Sequence, residues 1–160
     1  HKNSKITDFT TLSRATNEES KYLPVQRLRE YREYCKIKKK LKILIVGAAF
    51  KGSPETNDLR GSTGLDVGKI LEAQGEYVFY LDMVVSEDIL NEKGLKTAKR
   101  GGDDFDAILV LNDHPKNLLA IEKYLQKNQP IFVCDCWSLG SPSDFQKNIF
   151  YSSLTKNYWK

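Results

Sequence analysis

The chain has 160 residues and a mass of 18.3 kDa, enough for one domain that buries roughly 70% of the surface exposed when unfolded. A composition of 40% hydrophobic, 11% aromatic and 29% charged residues excludes collagen-like, fibrous and disordered classes. A net charge of +4 is too mild for an obligate nucleic-acid binder, and the longest apolar run, Ile43 to Phe50, is far short of the ~20 residues of a membrane span, so neither nucleic acid nor membrane is an expected partner.

Residues 1–13 read as a polar N-terminal segment with no clear period. No charged stretch followed by an apolar one stands at the start, so no signal peptide is expected, and an opening His1 suggests a piece of something longer. From residue 14, Leu23, Leu28, Tyr31 and Tyr34–Cys35 recur at helical spacing among Arg, Glu and Lys. This predicts an amphipathic helix over roughly 14–38 inside a linker segment 14–40, with a kink or a start at Pro24. Lys36, Lys38, Lys39, Lys40 and Lys42 crowd behind it, either as a solvated helix end or as a phosphate-contacting patch.

Leu41 to Gly47 is a short, nearly continuous apolar run, the pattern of a strand buried on both faces. A Gly-, Ser-, Thr- and Pro-rich loop follows, then a helix over Gly64 to Gln74 that Gly75 stops. Tyr77 to Leu81 reads as a second strand ending at Asp82, and a short helix as Ser86 to Lys93. Phe105 to Leu111 is a third strand, Asn117 to Gln126 a helix, and Ile131 to Cys134 a fourth strand. The aromatic tail after Gly140 reads as an element covering the domain edge, with partner binding as the alternative. Alternation of strand and helix predicts an α/β fold with a mostly parallel sheet and helices on both faces. Ligands of such sheets bind beyond the carboxyl ends of the strands.

The three cysteines, Cys35, Cys134 and Cys136, form neither a disulfide framework nor a zinc pattern, which suggests reduced thiols and a cytoplasmic setting, with no metal site. The loop after the first strand carries the most chemistry. Gly47 and Gly52 fit the ends of a dinucleotide fingerprint, but Ala49 stands where a side chain obstructs a pyrophosphate. Gly47, Gly52 and Ser53 approximate a P-loop, but Lys51 precedes the second glycine. A third reading takes Lys51 and Arg60 as cations for an anion beside a helix N-terminus, with Asp58 orienting Arg60. A solvent-exposed turn with a local ion pair fits the same residues.

Gly47, Ala49, Phe50 and Lys51, then Asp58, Arg60 and Ser62, resemble the G-x-A-F/Y-K and D-x-R-x-S motifs of UDP-glucose/GDP-mannose (nucleotide-sugar) dehydrogenases. The strand ending at Asp82, the segment Leu111 to His114 and the segment Asp135-Cys136-Trp137 resemble that family's Y-D, T-D-H and D-G-R positions. Arg14 to Pro24 resembles the start of its central helix, so the likeness covers about residues 14–140. The resemblance implies a Rossmann-like three-layer αβα sandwich over 41–160, preceded by the long helix, and a UDP-binding role in an NAD-dependent UDP-sugar 6-dehydrogenase. It implies Phe50, Lys51 and Trp137 on the UDP-sugar, Arg60 facing NAD across an interdomain cleft, and a homodimer through the 14–38 helix. The oxidised substrate would be UDP-glucose or a UDP-N-acetyl-hexosamine.

Two departures accompany the likeness. The stretch from Lys51 to Arg60 is two residues longer than the family spacing, and Trp137 stands in the place of an arginine. The family's catalytic cysteine and its N-terminal NAD-binding domain have no counterpart in this sequence, so no catalytic residue is assigned and the chain alone is expected to be inactive. The internal histidine, His114, reads as structural rather than as a general base. Two rival readings are a non-catalytic interaction or regulatory module that kept the fold, and a generic nucleotide binder without uridine preference.

Overall fold

Five strands with β-branched or aromatic residues on both faces need cover on both sides, and the chain supplies it. The computed structural model describes residues 10–13, 15–16, 18–99, 103–125, 130–145 and 148–159. In chain order the elements are α1 (Tyr22–Tyr34), β1 (Lys42–Val46), α2 (Thr63–Ala73), β2 (Tyr77–Leu81), α3 (Glu87–Glu92), β3 (Ala107–Val110), α4 (Asn117–Leu125), β4 (Ile131–Asp135), a 3₁₀ turn (Pro142–Asp144) and β5 (Ile149–Ser153). All four strand pairings are parallel, in the order β2-β1-β3-β4-β5. The fold is a Rossmann-like α/β sandwich.

Alternation along each strand sorts the core into two layers. Ile43, Ile45, Leu109, Phe132 and Cys134 face α1 and α2 with Leu28, Tyr31, Val67 and Leu71. Leu44, Val46, Ile108, Val110 and Val133 face the other way, onto Ile121, Tyr124 and Leu125 of α4. The chain runs from β1 outward to β2, then crosses back to β3 and outward to β4 and β5, so the direction of winding reverses between β1 and β3.

Helix α1 starts near Pro24, as one of the two sequence expectations had it. Proline has no N–H for the Ser20 carbonyl, and it sits in the first turn, where that donor is not needed. Residues 15–16 and 18–20, inside the expected 14–38 helix, are helical too, and so are residues 10–13, which the sequence placed in the polar segment. Their side chains are almost all exposed, so no apolar face exists to produce a period. Residues 1–9 of the expected polar segment lie outside the described residues. At its other end the helix stops at Tyr34 rather than near residue 38, because Lys36 turns into the left-handed region at φ 54°.

The tail forms β5 and so covers the domain edge. Beyond it Ser153 and Tyr158 donate backbone hydrogen bonds to the Lys156 and Tyr151 carbonyls, folding residues 154–158 back over the last strand. Trp159 joins Tyr31 and Phe132, which stack at 5.0 Å, so the tail and α1 share one aromatic cluster. At the opposite edge, residues 96–98 exchange two backbone bonds with Tyr80 of β2. Both edges are thus partly screened against pairing with another chain.

The closest helix–strand approach lies at Gly68, where a Cβ would stand 1.9 Å from the Tyr80 hydroxyl oxygen. That hydroxyl is buried and has no hydrogen-bond partner. Gly68→Ala is therefore expected to destabilise the domain by about 1–3 kcal/mol. Tyr80→Phe alone is expected to be nearly neutral, since it removes an unsatisfied buried group. Combined with Gly68→Ala it restores part of the loss, read as a coupling in urea unfolding midpoints.

Candidate functional site

The loops beyond the carboxyl ends of β1, β2, β3 and β4 meet at one end of the sheet. Gly47 leaves β1 with φ 97°, a conformation open to glycine, and Gly64 in the first turn of α2 rests on the Gly47 carbonyl, where a Cβ would lie 2.3 Å from the oxygen. Ser62 caps α2 by accepting from the Leu65 N–H. The α2 N-terminus therefore opens directly over the end of β1.

Carboxylates at the ends of neighbouring strands hold the loop in place. Asp82, after β2, accepts from the Ala49 N–H at 2.8 Å with one oxygen and from the Val84 and Val85 N–H groups with the other. Asp113, after β3, accepts from the Gly52 and Ser53 N–H groups at 2.8 and 3.0 Å through a single oxygen. Gly52 lies so close to the His114 backbone that a Cβ would meet its nitrogen at 2.1 Å. His114 is buried, and its Nδ1 accepts from the Lys116 N–H, so the ring proton sits on Nε2 and points at Glu55 Oε1, 3.0 Å away. Glu55 belongs to the stretch that is longer than the family spacing. The imidazole thus ties Glu55 to the turn at Lys116.

This clasp presents the candidate binding residues. Phe50 is 56% exposed, with its ring over Gly61. Lys51 is half-buried, and its side chain has no hydrogen-bond or ion-pair partner among the described residues. Arg60 is committed. Its guanidinium grips Asp58 through Nε at 3.0 Å and Nη2 at 2.8 Å, and the Arg60 N–H binds the same carboxylate. These hydrogen bonds hold the Asp58 carboxyl well down, at about 2. Trp137 sits two loops away at the same end of the sheet, 52% exposed, and its indole N–H donates to the Leu111 carbonyl.

Asp135 fixes that tryptophan. It is fully buried at the end of β4 and accepts from the Trp137 and Gly140 N–H groups and from the Tyr151 hydroxyl. Burial and the adjacent carboxylate push the Tyr151 phenol up. The thiols of Cys134 and Cys136 face each other at 3.8 Å. The hydrogen bond to Cys134 and burial push the Cys136 thiol well up, the opposite of what an activated nucleophile requires. Burial also raises Cys35.

At the winding reversal between β1 and β3 the Asn112 side chain packs directly against Gly47. A Cβ on Gly47 would stand 2.5 Å from the Asn112 Cγ. Asn112 is held by Asn117, whose amide donates to its side-chain oxygen at 2.8 Å. Among the described residues no cluster of three or more His, Cys, Asp or Glu could hold a metal, and no helix is long and apolar enough to cross a membrane. A cavity of about 1070 Å³ opens beside the Asp82–Asp88 loop toward Leu119 and Lys123 of α4. Phe50, Lys51 and Trp137 do not line it.

The sequence missed the clasp. Glu55 carried no signal of its own and Asp113 only its place in the T-D-H likeness, because their partners are 59 and 61 positions away.

The profile of the UDP-glucose/GDP-mannose dehydrogenase family, UDP binding domain, matches residues 44–141. The chain belongs to this family. A solved structure described as a UDP-glucose dehydrogenase from the hyperthermophilic archaeon Pyrobaculum islandicum superposes with a TM-score of 0.59 at 20% identity, which speaks for the fold. The match covers 86% of this chain and 30% of that one, so the present chain spans under a third of that protein's length. No curated protein sequence matches significantly.

The Asp58–Arg60 pair gives a direct pH expectation. The folded value lies below the ordinary carboxylate range, so the pair contributes above that range and is lost as pH falls through about 2. Carboxyl-detected NMR titration is expected to place the Asp58 midpoint near 2 and to move it only part of the way back up to the ordinary carboxylate range in Arg60→Ala, because the backbone N–H of residue 60 still binds the carboxylate.

Proposed function

We propose that this domain binds the UDP part of a nucleotide sugar and works as the C-terminal half of an NAD-dependent UDP-sugar 6-dehydrogenase. Such an enzyme oxidises the sugar's primary alcohol to a carboxylate, on UDP-glucose or a UDP-N-acetyl-hexosamine. The observation that carries the reading is Lys51, an uncommitted cation on a loop tied down by Asp82 and Asp113 at the end of β1. A pre-positioned ammonium that has no internal partner is suited to a diphosphate, and the α2 N-terminus adds its dipole at the same end of the sheet.

Phe50 and Trp137 supply exposed aromatic faces for uracil or sugar. Trp137 cannot replace the bidentate cation that an arginine brings, so the diphosphate charge falls on Lys51. Arg60, locked by Asp58 and almost wholly solvent-exposed, is placed to face NAD held by an N-terminal NAD-binding domain across a cleft. The exposed Phe50 and Trp137 rings fit a half-site that a second domain completes. Leu23 and Tyr34 are exposed on one flank of α1, three helical turns apart, and suit the homodimer contact proposed for this helix.

A second reading, a non-catalytic interaction or regulatory module, is favoured by Trp137 in the arginine position and by the protonated Cys136 thiol. Calorimetric titration with UDP, with GDP and NAD as controls, separates the two. Saturable UDP binding with no NAD binding is expected, and Lys51→Ala is expected to weaken it by roughly 10–100-fold, the worth of one charge-assisted contact. Absence of binding to any nucleotide favours the interaction module, and equal affinity for UDP and GDP favours a generic nucleotide binder.

A further inference from the structure

The other end of the sheet carries a second concavity, one strand length away, roughly 16 Å for five residues. A cavity of about 630 Å³ opens between α1 and the segments that lead into β1 and β2. Val25, Leu28 and Ile37 make an apolar floor, and the half-exposed Tyr22 ring forms one wall. Arg29, Lys36 and Lys38 stand around it with two carboxylates, Glu33 and Glu76, the second of which is taken up by Arg32. Arg32 also lines the cavity but is spent internally, on the buried Glu76 carboxylate and on the Lys39 carbonyl.

The lysine cluster that the sequence singled out divides here into two groups. Lys39 pairs with Asp106 at 2.5 Å, Lys42 reaches Asp103 and lies over the Phe79 ring, and Lys40 lies over Tyr77. Those three close the bottom of the sheet. Lys36 and Lys38, with Arg29, have no side-chain hydrogen bond or ion pair among the described residues.

The backbone gives a second, independent sign. The Ile37 N–H donates to the Arg32 carbonyl and the Lys36 N–H to the Glu33 carbonyl, closing α1 in the motif whose left-handed position ordinarily takes glycine. Lysine occupies it, at φ 54°. This conformation holds an ammonium on the rim, and no ion pair among the described residues offsets its cost.

We propose that this groove binds a small organic anion with an apolar body. Arg29, Lys36 and Lys38 meet the acidic group, and Tyr22, Val25, Leu28 and Ile37 cover the body. The volume lies in the range of small-molecule sites. Three uncommitted cations against Glu33, with Glu76 held by Arg32, set the sign of the charge. The site is separate from the Lys51 loop and does not depend on the nucleotide reading. Its residues lie on a different flank of α1 from Leu23 and Tyr34.

The test uses a matched pair of probes on the 160-residue chain. One is 8-anilinonaphthalene-1-sulfonate, and the other is N-phenyl-1-naphthylamine, the same rings without the sulfonate. Fluorescence titration is expected to give one saturable site for the sulfonate and at least a roughly 10-fold weaker response to the neutral probe. Lys36→Gly is the decisive variant, because glycine suits the left-handed position and the fold survives. Its melting midpoint is expected to rise by about 2–4 °C. Its sulfonate affinity is expected to fall by roughly 3–10-fold, with a similar fall in Arg29→Ala. Equal affinity for the two probes, or an unchanged affinity in Lys36→Gly, overturns the proposal. So does a dimer in sedimentation that Arg29→Glu dissociates, which would assign the groove to a second copy of the chain.

Discussion

A parallel sheet cannot leave a face to water, because both sets of alternating side chains are apolar, and this requirement organises the whole molecule. On one face α4 meets it together with Ala98 and Phe105 of the β2–β3 connection and Leu139 and Phe145 of the β4–β5 connection. On the other, α2 covers β1 and β2 but leaves the β4 side bare. Helix α1 and Trp159 from the far end of the chain close that gap around Phe132. The helix that precedes the sheet is therefore packed into its core layer through Leu28 and Tyr31 rather than trailing from it.

The two ends of the sheet inherit different jobs from this arrangement. At the carboxyl end the strands deliver Asp82, Asp113 and Asp135, and each carboxylate accepts from several donors, most of them backbone N–H groups. A short acidic side chain that leaves a strand end is well suited to gather loop amides, much as it caps a helix. The loops become rigid without large apolar contacts, and their outward side chains, Phe50, Lys51 and Trp137, stay available. At the amino end the same need is met by the pairing of Glu76 with Arg32 and with the Leu41 N–H. That pairing leaves a groove with surplus positive charge beside it.

The family likeness and the local chemistry agree on the loop after β1 but weigh its cations differently. Motif position gives Lys51 and Arg60 equal standing. In the fold, Arg60 is bound to Asp58 and points to solvent, while Lys51 has no partner among the described residues. Glu55, in the added stretch, turns an apparent loop expansion into a tie to His114.

The sequence by itself determined the element order, the parallel character of the sheet and the loop that carries the chemistry. Each of these rests on local signals: continuous apolar runs at Leu41–Gly47 and Phe105–Leu111, glycine stops, and a proline in a first helical turn. Tertiary structure alone decided which charges are free. Lys39 and Lys36 look alike in a run of lysines, yet one faces Asp106, 67 positions away, and the other faces an open groove. It also decided that Asn112 packs against Gly47 and that Asp113 holds the Lys51 loop. Such pairings form between residues some sixty positions apart, once β1 and β3 lie side by side, and no local pattern encodes them.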